Sequence, residues 1–310
     1  MSGNTFFLHH YEASPYAEKI RVMLGLARQA WGSVLTSPYP PRPDVDPLAG
    51  GYRRIPVAHL GADVFCDTAL IATEVAALAG REELAPTIAD GEARALAERA
   101  EGAVFFAAIT SAPPLKLLGK LLASAGPVGT LRFVRDRSGM MKDASTRPPR
   151  GEEAARLFDA YLADLDEHLA ARHCLAGAAP SYADLCAYHP IWLARSVGGA
   201  STLKRYANVG EWMERMASVG HGGRREMTTE QAFREAAQSE PRPLPDDPGA
   251  HEALGSEATI APDDYAKTGV TGTLVAATGE RYILARETER LGTVHVHFPR
   301  AGYALSPVVA

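Results

Sequence analysis

Residues 5–24 read TFFLHHYEASPYAEKIRVML, and this stretch decides how the fold begins. Positions 5–8 favour a strand, because aromatic and β-branched residues fit a pleated sheet. Ser14 followed by Pro15 is a favoured helix start, since serine caps the first amides and proline suits the first helical position. Apolar residues then recur on one helical face, at Ile20, Met23 and Leu24. The stretch therefore predicts a strand, a loop and a helix.

The next sixty residues extend this unit. Positions 32–51 contain five prolines, which exclude a regular helix and predict an extended connection. Two apolar runs at 57–60 and 64–65 flank a Gly-Ala-Asp turn, a pattern typical of a hairpin. An Asp-Thr pair at 67–68 then precedes another apolar helix and supplies its cap. Up to residue 80 the sequence thus predicts the order β-α-β-β-α.

Helical periodicity dominates residues 81–238, which we predict to be an all-helical domain. Ser181 and Asp184 have the spacing of a capping box at the start of one helix. Two more amphipathic segments follow, at 209–216 and 230–237. Another helix has its apolar residues on one stripe, at Leu157, Phe158, Tyr161, Leu162, Leu165 and Leu169.

The last part of the chain changes character. Residues 239–252 are rich in proline and are predicted to be a linker. Residues 253–310 are predicted to be a small β-rich unit, with an antiparallel meander formed by three strand-like runs, at 270–276, 282–285 and 293–298. A unit of about sixty residues is small for independent stability, so we expect it to pack on the body or on a second subunit.

Composition argues against several classes of function. The 310 residues contain 32 Lys plus Arg and 37 Asp plus Glu, a net charge of −5, which provides no basic field for nucleic acid. The longest uncharged run, 102–115, is shorter than the roughly twenty residues needed to span a bilayer. The three cysteines form no CxxC pair, so we expect no disulfide framework, no structural zinc and a reducing, cytoplasmic location.

Four motifs resemble those of the glutathione S-transferase family, and together they cover most of the chain. SPYAEKIR at 14–21 resembles the S-P-[FY]-x-x-[KR]-[VI]-R box of the serine-type branches, which include tau-like plant and many bacterial members. RRIPV at 53–57 with the acid-Thr pair at 67–68 resembles the glutathione-binding region, and SYAD at 181–184 and NVGEWMERM at 208–216 resemble motifs of the helical half.

The resemblance implies a fold class and a division of the chain. An α/β thioredoxin-like N-terminal domain that binds glutathione would span residues 1–80, and an all-α C-terminal transferase domain would span 81–238. The linker and the small antiparallel β unit at 253–310 would be an addition to the usual family architecture.

Ser14 is the candidate catalytic residue. A serine hydroxyl at a helix N-terminus is able to donate a hydrogen bond to a thiolate, and the positive end of the helix favours the same anion. The resemblance implies that Ser14 lowers the pKa of the glutathione thiol in this way. A plain N-cap is the alternative role for Ser14. Tyr11 is an alternative donor through its phenol, unless it is only a packing aromatic.

Glutathione-binding residues follow from the same resemblance. A cis-proline turn at Ile55 and Pro56 would present backbone hydrogen bonds to the cysteinyl part of glutathione. The helix start at 67–68 suits the γ-glutamyl group, because its amides favour a carboxylate and Asp67 favours an ammonium, although Asp67 and Thr68 also suit simple capping. A basic residue before the turn would bind the glycyl carboxylate, and the sequence leaves Arg53 and Arg54 equally open.

Two further sets of residues have both a functional and a structural interpretation. Phe105, Phe106 and Ile109 are candidates for an acceptor pocket between the domains, or they belong to the core. A basic run could attract an anionic substrate or be a solvated surface; it comprises Arg132, Arg135, Arg137, Lys142, Arg147 and Arg150.

Two pairs of histidines are candidate metal ligands. His295 and His297 point to one face of a predicted strand, but no third ligand accompanies them. We interpret them as the wetter side of an amphipathic strand. His9 and His10 are adjacent, so alternation along a strand turns their rings to opposite faces. No metal site is therefore expected.

The sequence thus predicts a glutathione transferase-like enzyme. Its glutathione thiolate would attack a small hydrophobic electrophile, with glutathione as co-substrate and no metal or nucleotide. By resemblance we expect a homodimer, with no nucleic-acid or membrane partner. Two alternatives stay open: a catalytically silent transferase-like scaffold that binds a ligand or protein partner, and a glutathione-dependent isomerase or dehalogenase.

Overall fold

A computed structural model describes residues 5–87, 91–145 and 147–308. The first unit consists of β1 (Phe6–His10), α1 (Pro15–Leu26), β2 (Ala30–Leu35), α2 (Asp46–Ala49), β3 (Val57–Leu60), β4 (Asp63–Cys66) and α3 (Thr68–Ala79). Strand β1 pairs in parallel with β2 and antiparallel with β3, and β3 forms the predicted hairpin with β4. The predicted starts of α1 and α3 are confirmed, with Ser14 and Asp67 as their N-caps.

Two elements of this unit escaped the sequence prediction, which gave only an extended connection at 32–51. Strand β2 contains Gly32, a residue that disfavours strands, yet this glycine is needed there. A Cβ atom at Gly32 would lie 2.6 Å from the ring of Phe7 on the neighbouring strand. Helix α2 has only four residues, too few to show a period in the sequence.

The middle of the chain is mainly helical. It comprises α4 (Glu92–Arg99), α5 (Phe105–Thr110), α6 (Pro114–Met140), α7 (Gly151–Leu169), α8 (Tyr182–Gly198), α9 (Ala207–Ser218), β5 (Gly223–Glu226) and α10 (Thr229–Ala237). A π-helical turn, Ala100–Val104, joins α4 to α5. The prediction of helices alone was wrong at β5, whose sequence GRRE has no apolar residue and which pairs in parallel with β2.

Asp184 fixes the centre of the helical part. Its carboxylate accepts hydrogen bonds from the backbone amides of Leu175 and Ser181, both at 2.9 Å, so the predicted capping box is present. It also accepts one from the indole Nε1 of Trp212 at 3.0 Å, which ties α8 to α9. Asp184 and Trp212 are both fully buried, so one carboxylate satisfies three buried donors.

The C-terminal strands continue the first sheet. They are β6 (Glu257–Pro262), β7 (Val270–Ala277), β8 (Arg281–Thr288), β9 (Gly292–Pro299) and β10 (Tyr303–Pro307). The predicted meander is confirmed by β7, β8 and β9, whereas β6 and β10 were not predicted. Strand β9 pairs in parallel with β4, so the sheet runs β10-β6-β7-β8-β9-β4-β3-β1-β2-β5.

A shared apolar core fastens these strands to the first unit, as their small size led us to expect. Val64 and Tyr52 of the first unit belong to the same buried cluster as Leu284 and Phe298 of the C-terminal strands. Tyr52 packs edge-on against Phe298, with ring centroids 5.9 Å apart. The apolar burial is therefore continuous across the β4–β9 junction.

A buried carboxylate lies at this junction. Asp63 of β4 accepts a hydrogen bond from the backbone amide of Arg242 at 2.9 Å, and its other oxygen lies 2.8 Å from Nε2 of His297. Although burial opposes ionisation, His297 and Arg242 lower the pKa of Asp63 below its usual value. Glu74 of α3 lies beside it and binds Arg242 and Arg281, at 3.0 and 2.7 Å.

The hydropathy of the described helices indicates whether any of them could cross a membrane. No single helix there is both long and apolar enough to cross a bilayer. The pair Glu92–Thr110 and Pro114–Ala123 meets the length and composition requirements only when taken together, across a bend of 88°.

We predict that Asp63→Ala lowers the free energy of unfolding by about 3 kcal/mol, since it leaves buried donors unpaired. Urea unfolding measures this change. Glu230→Ala is the matched control, because Glu230 also pairs across to the C-terminal strands, through Arg290, but at the surface. The control should cost less than about 1 kcal/mol. Equal losses in the two variants would show that Asp63 does not hold the junction.

Candidate functional site

Ser14 lies in the turn between β1 and α1. Its hydroxyl accepts a hydrogen bond from the backbone amide of Ala17 at 3.2 Å, and its own amide donates to the carbonyl of Tyr11 at 3.1 Å. The side chain is buried, with 1% of its surface exposed. Within the described chain, no acceptor takes the hydroxyl hydrogen of Ser14. The residue therefore caps α1 and still has a proton to donate.

Tyr11 contacts the end of α6. Nη2 of Arg137 donates to the phenol oxygen of Tyr11 at 3.1 Å and lies 3.4 Å from the carbonyl of Pro38. The phenol oxygen of Tyr11 is thus held by a guanidinium, and Arg137 of the predicted basic run links the turn before α1 to α6. No local sequence pattern indicates this contact, because Tyr11 and Arg137 are more than a hundred residues apart.

The predicted turn before β3 places its two arginines in different surroundings. The Ile55–Pro56 peptide bond is cis. Arg53 forms an ion pair with Asp136 of α6. Arg54 forms an ion pair with Asp264, donates to the carbonyl oxygen of Tyr265 at 2.6 Å and stacks over the Tyr265 ring at 4.2 Å.

Asp67 caps α3 and also contacts the C-terminal strands. Its carboxylate accepts from the backbone amide of Ala69 at 2.9 Å and from the phenol of Tyr303 at 3.1 Å. Asp67 has a φ of 80°, a rare conformation for a residue other than glycine. Thr68, the first residue of α3, is buried. The helix start on which the γ-glutamyl prediction rests is therefore covered by a tyrosine of β10.

A cleft of about 590 Å³ opens beside Arg53. Its walls come from the loop before α2, from α6 and from the segment after β6. The lining residues are Tyr39, Pro40, Arg53, Arg132, Arg135, Asp136, Gly139, Met140, Asp143, Ala266, Lys267 and Thr268. Four cations and two carboxylates make this cleft positively charged overall, so it suits an anionic group.

Arg42 is a candidate site residue that the sequence analysis missed. It is fully buried, and its Nη2 donates to the carbonyl of Tyr52 at 2.5 Å. In the described part of the chain, Nη1 of Arg42 has no hydrogen-bond partner. Arg42 interacts electrostatically with Asp136 and Arg137, next to the cleft. A buried guanidinium with an unpaired donor needs a further acceptor. Its position in a proline-rich loop gave no indication of this role.

The predicted acceptor-pocket residues lie outside this cleft. Phe105 packs against Tyr16 and His189, with ring centroids 4.6 and 5.5 Å away, and is buried. Phe106 packs edge-on against Tyr265 at 5.7 Å. Phe105, Phe106 and Ile109 are all absent from the lining of the cleft. Phe106 nevertheless reaches the site indirectly, through Tyr265 and Arg54.

An ionic cluster around Glu101 connects α1 to the helical part of the chain. Nζ of Lys19 lies 3.0 Å from the Glu101 carboxylate and 2.8 Å from the phenol of Tyr182. Nε2 of His189 lies 2.8 Å from the same carboxylate. Burial opposes the charge of Glu101, but Lys19 and His189 lower its pKa to about 2. The π-helical turn thus carries an anion that fixes α1 against α8.

Among the described residues, no group of three or more His, Cys, Asp or Glu side chains is arranged to hold a metal ion. His297 is buried on Asp63, so its assignment to the wetter side of the strand was wrong. His9 lies beside His59, with ring centroids 5.3 Å apart, and both are fully buried. The sequence missed this pair because β1 and β3 are distant along the chain.

Comparison with known proteins adds a family assignment to this geometry. The profile described as "Glutathione S-transferase, N-terminal domain" matches residues 8–83, and the one described as "Glutathione S-transferase, C-terminal domain" matches 124–219. Together these matches cover more than half of the chain. No curated protein matches the chain.

Solved structures resemble the chain to different extents. A GST-like protein from Pseudomonas syringae is 29% identical, with 99% of this chain and 100% of that chain covered and a TM-score of 0.76. That likeness therefore includes the C-terminal strands. A glutathione S-transferase from Methylobacillus flagellatus with GSH bound is 19% identical, with coverages of 70% and 99% and a TM-score of 0.47. One from Xanthobacter autotrophicus is 20% identical, with coverages of 69% and 93% and a TM-score of 0.43.

We predict that stability falls as the pH drops from 6.5 to 4. Burial lowers the pKa of His10 to about 3 and that of His59 to about 4. Because the unfolded chain then binds more protons, His59 alone should cost about 3 kcal/mol by pH 4. Urea unfolding at several pH values measures the slope. His59→Gln should make the slope of stability against pH shallower, whereas the same change at the exposed His173 should leave the slope unchanged. Identical slopes in the two variants would show that His59 does not cause the loss of stability.

Proposed function

Since the chain belongs to the glutathione S-transferase family, we propose that it activates the thiol of glutathione for attack on a small hydrophobic electrophile. The observation that carries the proposal is the position of Ser14. Its buried hydroxyl lies at the N-terminus of α1, where the oxygen accepts a hydrogen bond from the amide of Ala17 and the hydroxyl hydrogen is free to be donated.

Two effects at this position stabilise a thiolate. The Ser14 hydroxyl donates a hydrogen bond to the sulfur, and the positive end of the twelve-residue helix α1 favours the negative charge. Both lower the pKa of the bound thiol, so that more of it is ionised near neutral pH. The thiolate then donates an electron pair to the electrophilic carbon and forms a C–S bond. A leaving group departs with its electrons, or the new carbanion takes a proton from water.

The remaining binding groups are proposed for the three parts of glutathione. The backbone of Ile55, before Pro56, would bind the cysteinyl part. Asp67 and Thr68 at the start of α3 would bind the γ-glutamyl part, where Arg54 lies close by. Between the two arginines left open by the sequence, we assign the glycyl carboxylate to Arg53, because this residue lines the cleft. Phe106 and Ile109 stay the proposed apolar contacts for the acceptor.

A second candidate function is a catalytically silent scaffold. It is favoured by the contacts that the C-terminal strands make with two glutathione-binding candidates, because Asp264 pairs with Arg54 and Tyr303 donates to Asp67. In this case the chain would bind a ligand or partner without activating a thiol. A glutathione-dependent isomerase or dehalogenase would use the same thiolate as the transferase and differ only in the acceptor.

We predict that Ser14→Gly lowers kcat/KM for conjugation about 100-fold, the usual loss when one donor to a developing or bound anion is removed. It should also raise the pKa of bound glutathione, followed by the ultraviolet absorbance of the thiolate. Glycine is chosen because it costs an N-cap only a few tenths of a kcal/mol. Ser14→Thr keeps both the cap and the hydroxyl and should retain most of the activity.

Three outcomes separate the candidates. Retention on immobilised glutathione with a thiolate signal that Ser14→Gly removes supports the transferase. Retention without any thiolate signal supports the scaffold. A Tyr11→Phe variant that loses the thiolate signal while Ser14→Gly keeps it would transfer the catalytic role to Tyr11.

The proposal includes a homodimer in the cytoplasm. The three cysteines are unpaired, as a reducing compartment requires. Helix α6 is broken at Gly126, where the backbone is not helical, and exposed apolar residues lie on both sides of the break. A second copy of the chain would cover them; they are Leu115, Leu118, Leu122, Val128, Leu131 and Val134. Exposed patches of this kind mark interaction surfaces.

We predict that the wild type sediments as a dimer and that Leu131→Lys shifts it toward the monomer, because a lysine would be desolvated in the interface. Leu131 is 69% exposed, so its replacement should leave helix content unchanged by circular dichroism. Leu244→Lys, in the predicted linker, is the control and should stay dimeric. A monomeric wild type, or a dimer insensitive to Leu131→Lys, contradicts this surface.

A further inference from the structure

We propose that Asp264 is a built-in competitor for a ligand carboxylate, because it occupies the anion-binding face of Arg54 and must leave before an acidic co-substrate binds there. The C-terminal strands would thereby set the affinity and the selectivity of the site. This inference rests on the proposed function, since it takes Arg54 to be part of the glutathione site.

Arg54 already has its binding partners within the chain. Its guanidinium forms an ion pair with Asp264, donates to the carbonyl of Tyr265 and stacks over the same ring. Its side chain is mostly buried, and its Nε has no hydrogen-bond partner among the residues that the structure describes. A buried guanidinium requires an anion to offset its desolvation. Asp264 supplies that anion from a position 210 residues further along the chain.

The surroundings of Arg54 favour carboxylates. Tyr52, Tyr265 and Tyr303 all interact electrostatically with the guanidinium. The phenols of Tyr52 and Tyr303 are 2.5 Å apart, and Tyr303 also donates to Asp67, where the γ-glutamyl group is proposed to bind. Arg54 therefore lies close to the proposed γ-glutamyl site, with the ring of Tyr265 stacked against its guanidinium. Planar carboxylates match the fork of a guanidinium, so a ligand carboxylate and Asp264 would compete for the same donors.

The segment that carries Asp264 is suited to displacement. It forms the loop between β6 and β7, and the side chain of Asp264 is 42% exposed, so it is hydrated readily on leaving Arg54. A few hydrogen bonds attach the loop to its surroundings. The amide and the hydroxyl of Ser145 donate to the carbonyl of Asp264 at 2.7 and 3.1 Å, and the amide of Ala266 donates to the carbonyl of Met140 at 2.8 Å. The amide of Asp263 donates to the carbonyl of Gly302 at 3.1 Å. Ala266 has a φ of 49°, which costs conformational energy for a residue with a Cβ atom.

The loop also separates two arginines. Residues 266–268 line the cleft that contains Arg53, while Asp264 and Tyr265 cover Arg54 on the other side. Movement of this loop away from Arg54 would extend the cleft from Arg53 to Arg54. A ligand with two carboxylates, such as glutathione, would then reach both arginines, whereas a ligand with one carboxylate would leave one guanidinium unmatched. The competitor thus selects dicarboxylate thiols.

The test compares Asp264→Asn with Asp263→Asn in the full chain. Asp263 is adjacent and exposed and carries the same charge, but its side chain does not contact Arg54. Titration calorimetry with glutathione should give a Kd roughly tenfold lower for Asp264→Asn than for the wild type, because the competing anion is gone. Asp263→Asn should stay within about twofold of the wild type, which controls for the change in net charge.

Two further measurements test whether the tighter binding by Asp264→Asn depends on Arg54. Glutathione diethyl ester, whose carboxylates are neutral, should bind the wild type and Asp264→Asn equally. Arg54→Ala and the double variant Arg54→Ala/Asp264→Asn should also have equal Kd values, since no guanidinium remains to compete for. The proposal is overturned if Asp264→Asn still tightens binding of the diethyl ester, or still tightens binding of glutathione when Arg54 is replaced by alanine.

Other results overturn it directly and are distinguishable from failure of the proposed function. A Kd for Asp264→Asn that is unchanged or higher would mean that Asp264 positions Arg54 rather than competing for it. If no variant binds glutathione, the proposed function fails, and succinate then serves as the probe. If succinate binds Asp264→Asn but not Asp263→Asn, Asp264 competes with a ligand carboxylate as proposed. If succinate binds neither variant, the proposal is overturned.

Discussion

The edge of β4 is the constraint on which the rest of this structure depends. A strand edge carries unpaired amides and carbonyls, and here they are satisfied by β9 from the far end of the chain. At the same point Asp63 brings together the backbone of Arg242 and the ring of His297. Once β9 is held there, the other C-terminal strands continue the sheet, and their residues come to lie over the first unit.

The composition of the candidate site follows from that attachment. Ser14, Arg54 and Asp67 belong to the first unit, in turns at the ends of β1, before β3 and after β4. Tyr303 on β10 and Asp264 after β6 contact two of them. A transferase-like body ending near residue 238 would have an open site at Arg54 and Asp67. In this protein the same residues are already paired within the chain, so the proposed ligand would have to exchange partners with them.

The sequence predicts best those features that depend only on neighbouring residues in the chain. The caps at Ser14, Asp67 and Ser181 marked three helix starts, because capping needs only a side chain and the amides that follow it. Strands β2 and β5 were missed because their formation depends on neighbours: Gly32 fits against Phe7, and GRRE becomes a strand only beside β2. The same distinction holds for the candidate site. The proposed residues of the first unit come from motifs, whereas Arg42, Tyr303 and Asp264 are recognised only from contacts across the fold.

The parallel pairing of β4 with β9 also has a consequence for synthesis on the ribosome. Asp63 is opposite His295 in this register, so the edge of β4 leaves the ribosome 232 residues before its partner. At 5–20 residues per second, this interval is roughly ten to fifty seconds. During that time the nascent first unit presents an open strand edge to other chains. Crowded polysomes would therefore expose this protein to pairing between neighbouring copies, and a chaperone that shields β4 would favour the native sheet.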